Sequence, residues 1–161
     1  MEFQIGDTVM HWSYGLGQIA GKEEKRLTGE TKLYYVVKIK EMTVWVPADS
    51  MLSGRLRRPT SALAFEQLFA ILAGPSQGLP GDRRERKSDL HARMAGGDAE
   101  SICHVIRDLS TRRQTNTLND DDSATLKRAR SMLLGEWGYS LQVPPAQAED
   151  SLSELLQQAS V

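Results

Sequence analysis

The sequence predicts an α+β protein, a small antiparallel β-barrel followed by an all-helical region. Three observations carry that reading. Residues 1–58 hold five short alternating or apolar runs, separated by Gly-Asp, Gly-Leu-Gly, Thr-Gly and Ser-Gly turn signals. From Thr60 onward the apolar period lengthens from two residues to about 3.6. The change falls at Pro59, so the 161 residues divide into two small units, 1–58 and 59–161.

The elements follow in order. Phe3-Gln4-Ile5 runs into a Gly6-Asp7 turn, and Thr8 to Trp12 reads as a strand. Tyr14-Gly15-Leu16-Gly17 breaks it sharply. Gln18 to Lys22 is the next strand, continued or edged by the charged Glu23-Glu24-Lys25-Arg26. Thr28-Gly29-Glu30 is a hairpin turn. In Lys32 to Ile39, the residues Leu33, Tyr35, Val37 and Ile39 face one way, and Tyr34, Val36 and Lys38 the other. Met42 to Val46 is a strand closed by Pro47, which cannot donate to a ladder. Gly54 to Arg57 is a short last strand. Successive antiparallel strands with short connections curl into a barrel or half-barrel.

Thr60 or Ser61 can cap a first helix with Phe65, Phe69 and Leu72 on its stripe and Leu68 beside it. Gly74-Pro75 stops it, and residues 75–81 form a loop. Arg83 to Ala95 is a weakly amphipathic helix ended by Gly96-Gly97. Asp98 caps the next, with Ile102, Val105, Ile106 and Leu109 at helical spacing. Thr115 to Asp121 is polar and turn-like. Asp120, Asp121 or Asp122 then caps a helix bearing Leu126, Ala129, Leu133 and Trp137, and the acidic start suits its dipole. Val143-Pro144-Pro145 breaks the chain, and a short last helix from Asp150 carries Leu152, Leu155 and Leu156.

Composition narrows the function classes. The formal net charge is −1, so bulk charge gives no argument for nucleic acid. Its distribution does more. Residues 1–58 carry nine Lys/Arg against seven Asp/Glu, residues 59–116 eight against seven, and residues 117–161 three against seven. The basic density lies in Arg83-Arg84-Glu85-Arg86-Lys87. The single cysteine, Cys103, sits among apolar residues as a small core group and excludes an intramolecular disulfide. The opening Met1-Glu2-Phe3-Gln4 lacks the features of a signal peptide, and no apolar run is long enough to span a bilayer. A cytoplasmic protein without a membrane partner is expected.

No catalytic or metal constellation emerges. Gly15-Leu16-Gly17 precedes a strand rather than a helix, so it fits a tight turn better than a phosphate cradle. His11, His91 and His104 lack close ligand spacing. Asp120-Asp121-Asp122 point in different directions at a helix start, which suits capping better than metal-dependent hydrolysis. The expectation is a non-enzyme with no cofactor. Trp45 alternates with Val44 and Val46, so it faces solvent where the valines face the core, as an interface anchor would. The basic run, with Arg93 further along, opens a helix where cations and amide groups can meet successive phosphates; a solvated helix face is the plainer alternative.

The order of motifs resembles a known family. Phe3-Gln4-Ile5-Gly6-Asp7-Thr8-Val9, Tyr14-Gly15-Leu16-Gly17-Gln18-Ile19, Tyr34-Tyr35-Val36-Val37-Lys38 and Thr43-Val44-Trp45-Val46-Pro47 are similar to the N-terminal RNA-polymerase-interacting domain of CarD/CdnL-type bacterial transcription regulators. Gly97-Asp98 with Val105-Ile106-Arg107-Asp108-Leu109, and Ala129-Arg130 with Leu133-Leu134-Gly135-Glu136, resemble segments of its helical domain, across about residues 2–140 in all. The resemblance implies a Tudor-like barrel that binds the RNA polymerase β subunit. It implies a helical domain that touches promoter DNA near the upstream edge of the −10 element and stabilises the open complex. Carried onto this chain, the polymerase contacts are Lys25, Arg26 and Trp45, and the DNA contacts are Arg83, Arg84, Arg86, Lys87 and Arg93, mainly to phosphate. Relatives often hold an Arg where Trp45 stands. They place a Trp wedge at the start of the first basic helix, where this chain has Asp82 or Arg83. A monomer is expected. The rival reading is a Tudor-like protein-binding scaffold with no DNA-melting role.

Overall fold

The computed structural model describes residues 2–26 and 28–159. The chain divides into two compact units, Met1–Pro59 and Thr60–Val161.

The first unit is a five-stranded antiparallel sheet: β1 (Thr8–His11), β2 (Gly15–Arg26), β3 (Thr31–Ile39), β4 (Met42–Pro47) and β5 (Leu56–Arg57), in spatial order β4-β3-β2-β1-β5. Three consecutive hairpins make up most of it. Gly15 and Gly29 supply the positive φ that the first two turns need, +88° at each. The β2–β3 register shifts between Ile19 and Gly21, a bulge that adds local twist. Val46 of one edge strand and Leu56 of the other join a single buried cluster with Val9, Ile19, Tyr35, Val37 and Ile39. Five strands lying flat would span about 19 Å at ordinary spacing, so a shared core requires the sheet to coil around it. Phe3 closes one side, edge-to-face against Tyr35 at 5.7 Å, with its amide donating to the Tyr35 hydroxyl.

The alternation expected for β3 holds for Tyr35, Val37 and Ile39, whereas Leu33 is exposed near the outer end of the hairpin. The expected last strand is shorter than Gly54 to Arg57. Leu52–Gly54 form a single 3-10 turn that buries Leu52, and only Leu56–Arg57 pair with β1.

Gly17 is a glycine for want of space. A Cβ there would lie 2.6 Å from Ile39 Cγ1 and 2.8 Å from the Lys38 carbonyl. Backbone cannot step aside as a flexible side chain does. Gly17→Ala is therefore expected to destabilise the first unit by about 1–3 kcal/mol, read as a lower denaturant midpoint at unchanged slope.

The second unit is five helices: α1 (Phe65–Ala73), α2 (Arg83–Ala95), α3 (Ala99–Thr115), α4 (Asp120–Leu141) and α5 (Pro145–Ala159). Their apolar stripes meet in one core. Phe65, Leu68 and Leu72 of α1 join Leu90 and Met94 of α2 and Ile102, Val105, Ile106 and Leu109 of α3; α4 adds Leu126, Ala129, Leu133 and Trp137. Cys103 is fully buried among them. Trp137 packs against Phe69 at 4.8 Å.

Four helix starts test the capping logic. Asp82 caps α2 by accepting from the Glu85 amide, and Asp98 caps α3 by accepting from the Ser101 amide, each at 3.0 Å. The cap of α4 is Asn119, not one of the three aspartates; its Oδ1 accepts from the Asp122 amide at 2.8 Å. Asp120 to Asp122 instead fill the first turn, where their charges still meet the positive end of the dipole. Helix α1 starts later than Thr60 or Ser61 would set it. Ser61 takes the Ala64 amide in a preceding turn, and the Thr60 amide donates to Glu136.

Helix α5 starts five residues earlier than Asp150. Pro145 is no breaker there, because its missing N–H lies among the orphan donors of a first turn. The longer helix brings Ala148 as well as Leu152 into the core. No helix among the described residues is long and apolar enough to cross a membrane.

Candidate functional site

Two surfaces carry the sequence candidates, one on each unit. On the sheet, strand pairing fixes which side chains share a face. Glu23 stands opposite Tyr34, Lys25 opposite Lys32, and Val36 opposite Trp45. The pleat therefore sets Glu23, Lys25, Tyr34, Val36 and Trp45 on one side of three adjacent strands. Trp45 is 41% exposed while its neighbour Val46 is buried. Its indole Nε1 donates to Glu23 Oε2 at 2.9 Å, and Lys25 Nζ lies 3.8 Å from its ring centroid. The Trp45 ring is thus held flat between an acid at its edge and a cation over its face.

Lys25 and Trp45 are brought together; Arg26 is not. It alternates to the other face of β2, and its Nε donates to the Gly29 carbonyl in the hairpin turn. Glu23 belongs to the patch and was absent from the sequence candidates. The i, i+2 spacing of Glu23 and Lys25 is the signal that places it there.

On the helical unit, Arg83, Arg84 and Lys87 are exposed along the first turns of α2. Arg86 is not. It is buried, with its Nε within 3.2 Å of both Asp122 carboxylate oxygens. Its Nη1 donates to the carbonyls of Pro80 and Gly81. A guanidinium so occupied has no face left for a phosphate, which corrects its place among the DNA contacts. Arg93 is partly exposed and engaged by two carboxylates. Its Nη1 holds Asp108 at 2.8 Å and its Nη2 holds Asp89 at 3.0 Å. Neither residue announces this in sequence, because which side of a helix turns inward is set by its packing against other elements.

Asp108 gathers Arg93, the Arg107 Nε at 3.0 Å and the Ser76 hydroxyl at 2.9 Å. Burial by itself would raise its pKa. The hydrogen bonds from Arg93, Arg107 and Ser76 outweigh burial and hold the carboxyl below its ordinary range. Its contribution to stability is therefore present above the unfolded pKa and is lost as pH falls through the folded one. This cluster fixes the loop before α2 and the far end of α2 to α3.

Between α2 and α4 lies a groove of about 490 Å3. Arg84, Lys87, His91 and Arg128 stand around it, over Leu90 and Met94. Asp121 pairs with Lys87 at 3.5 Å and tempers the basic rim. Arg84, Lys87 and His91 follow i, i+3, i+7, so the stripe was readable. Arg128 joins it only through the packing of α4. Asp82 is the α2 cap, and its carboxylate is engaged with the backbone. Among the described residues no group of three or more His, Cys, Asp or Glu could hold a metal ion.

Two family models match this chain. The one described as "CarD-like/TRCF RID domain" covers residues 3–59, and the one described as "CarD, C-terminal domain" covers residues 67–153. A protein of Bacillus subtilis (strain 168) described as "Putative transcription factor YdeB" is 31% identical over 137 residues, 83% of this chain and 89% of that protein.

Proposed function

The chain belongs to the CarD family of non-enzymatic transcription regulators, and from that membership we propose that it bridges RNA polymerase and promoter DNA. The first unit carries the family's RNA-polymerase-interacting domain. In this reading its contact with the β subunit is centred on Trp45 and Lys25, with Glu23 orienting the indole and Arg26, on the opposite face of β2, at most a minor contributor. The observation that carries it is the exposed, pre-set Trp45 ring on a domain whose partner is RNA polymerase. Anchors of this kind, aromatic and already ordered, lose little freedom on binding.

The second unit lays Arg83, Arg84 and Lys87 on the DNA backbone near the upstream edge of the −10 element. Arg86 and Arg93 act from inside, fixing the helix that presents those cations. Tethering through polymerase raises the local concentration of this weak DNA surface. With no indole at position 82 or 83, the contribution to open-complex lifetime comes from phosphate contacts rather than from unstacking a base step. The protein works in the cytoplasm as a monomer, without a cofactor.

The DNA half has its own test. Replacing Arg83, Arg84 and Lys87 together by Gln is expected to lower the slope of log affinity against log salt by about three. Filter binding to promoter DNA over a salt series reads this directly. An unchanged slope would take those residues off the DNA and leave a polymerase-binding scaffold.

A further inference from the structure

The face of α4 opposite the groove described above lines a separate cavity. It lies where the last turns of α3 meet α4 and α5, and its volume is about 510 Å3. A second hollow of about 320 Å3 adjoins it, and Arg113 and Arg130 line both. No lining residue is shared with the α2–α4 groove.

Three cations, Arg113, Lys127 and Arg130, face this cavity against one acid, Glu149. Among the described residues none of the three cations forms an ion pair within 4.0 Å. Burial, followed by the like charge of Arg113, disfavours the charged form of Arg130, and Glu149 offsets only part of this. Arg113 lies near enough to Arg130 for its like charge to be felt there. A bound anion would offset that repulsion. An independent observation points the same way. Ser110 is only 8% exposed, lines the smaller hollow beside both arginines, and its buried hydroxyl has no hydrogen-bond partner. Buried hydroxyls are otherwise nearly always satisfied.

The remaining wall is apolar. Leu118, Leu126 and Leu134 line the larger cavity, and Pro145 closes an end. An inorganic anion alone would leave that wall uncovered. The volume lies within the range of roughly 300–1,000 Å3 that small-molecule sites occupy. We propose that this cavity binds a small phosphorylated molecule with a flat apolar body, a nucleoside phosphate. Arg113 and Arg130 take the phosphate with help from the Ser110 hydroxyl, and the leucines take the base. This proposal does not rest on the polymerase or the DNA reading.

Calorimetric titration of the full chain tests it, with adenosine monophosphate as the probe. Binding is expected, and adenosine and inorganic phosphate should each bind at least about tenfold more weakly, because each supplies half of the recognition. Arg113→Gln with Arg130→Gln should weaken the nucleotide by about tenfold or more, the loss expected for a charge-assisted hydrogen-bond pair. Arg84→Gln with Lys87→Gln should leave it unchanged. A thermal melt checks each fold; should the half-buried Arg130 not tolerate replacement, Arg113→Gln alone, at an exposed position, should still weaken the nucleotide, and an unchanged affinity overturns the proposal. The proposal is overturned by no heat with the nucleotide, or by equal loss in the groove variant. It is overturned too by a cavity variant that loses only duplex DNA.

Discussion

Asp122→Ala will unfold the helical unit some way below the parent's melting temperature, with a loss of about 3–5 kcal/mol. The size follows from what stays behind. Arg86 is buried to 5% exposure, and its Nε rests on the Asp122 carboxylate at 3.0 Å. Removing the carboxylate strands a guanidinium in the interior, held only by the Pro80 and Gly81 carbonyls. A Coulomb gain in a dry site is offset by the desolvation that both ions already suffer, so the intact pair is itself worth little. The half-pair is what costs. For a unit of about this size the fall in melting temperature is on the order of 15 °C.

The same reasoning sets the control. Arg86→Met with Asp122→Leu replaces both ions by apolar groups of similar volume, and should recover most of the stability lost in the single variant. A double variant as unstable as Asp122→Ala would mean that the pair contributes through the Pro80 and Gly81 contacts instead. Function offers a second readout. If the pair sets the seating of α2, the recovered double variant should fold yet bind DNA less tightly, because the loop carbonyls that Arg86 anchors are released. In that outcome Arg86 is a positioning residue for Arg83, Arg84 and Lys87.

The pair also shows where sequence reading stops. Strand alternation in Tyr35, Val37 and Ile39 and helical spacing in Ile102, Val105, Ile106 and Leu109 are one-dimensional signals, and both predicted burial correctly. Asp98 was legible as a cap because a cap acts on the next three residues; Asp82 does the same for α2 without having been singled out. The partner of Arg86 is 36 residues away, and nothing local distinguishes it from Arg84. The position of the helix 3.6-period on the surface depends on how α2 rolls against α4, a tertiary property. Pro145 misled for the opposite reason. A proline pair reads as a stop, yet the same residue is well suited to open a helix, and only the docking of Ala148 decides between the two. On the sheet the pattern Val44-Trp45-Val46 was enough to turn Trp45 outward, but the company it keeps depends on register. Lys25 and Glu23 reach it across two strand pairings, which no single run of residues displays.

Trp45→Ala is expected to weaken the complex with a polymerase β fragment by about thirtyfold, the loss of a central aromatic anchor worth some 2 kcal/mol. The side chain points away from the cluster that holds Val46, so the sheet should keep its stability apart from the Lys25 contact, about 0.5–1 kcal/mol at an exposed site. Three further variants separate the parts of the patch. Trp45→Phe keeps most of the ring but loses the donor to Glu23, so its binding should fall between parent and Ala. Lys25→Glu places two acids around the indole and reverses the charge offered to the partner; it should act mainly on the association rate, with a strong salt dependence. Arg26→Ala should matter least, since that side chain is tied to the hairpin turn on the other face. Surface plasmon resonance on immobilised β fragment gives both rate constants for each variant. Equal dissociation rates for parent and Trp45→Ala would remove the indole from the interface. A larger loss for Arg26→Ala than for Trp45→Ala would move the contact to the opposite side of the sheet.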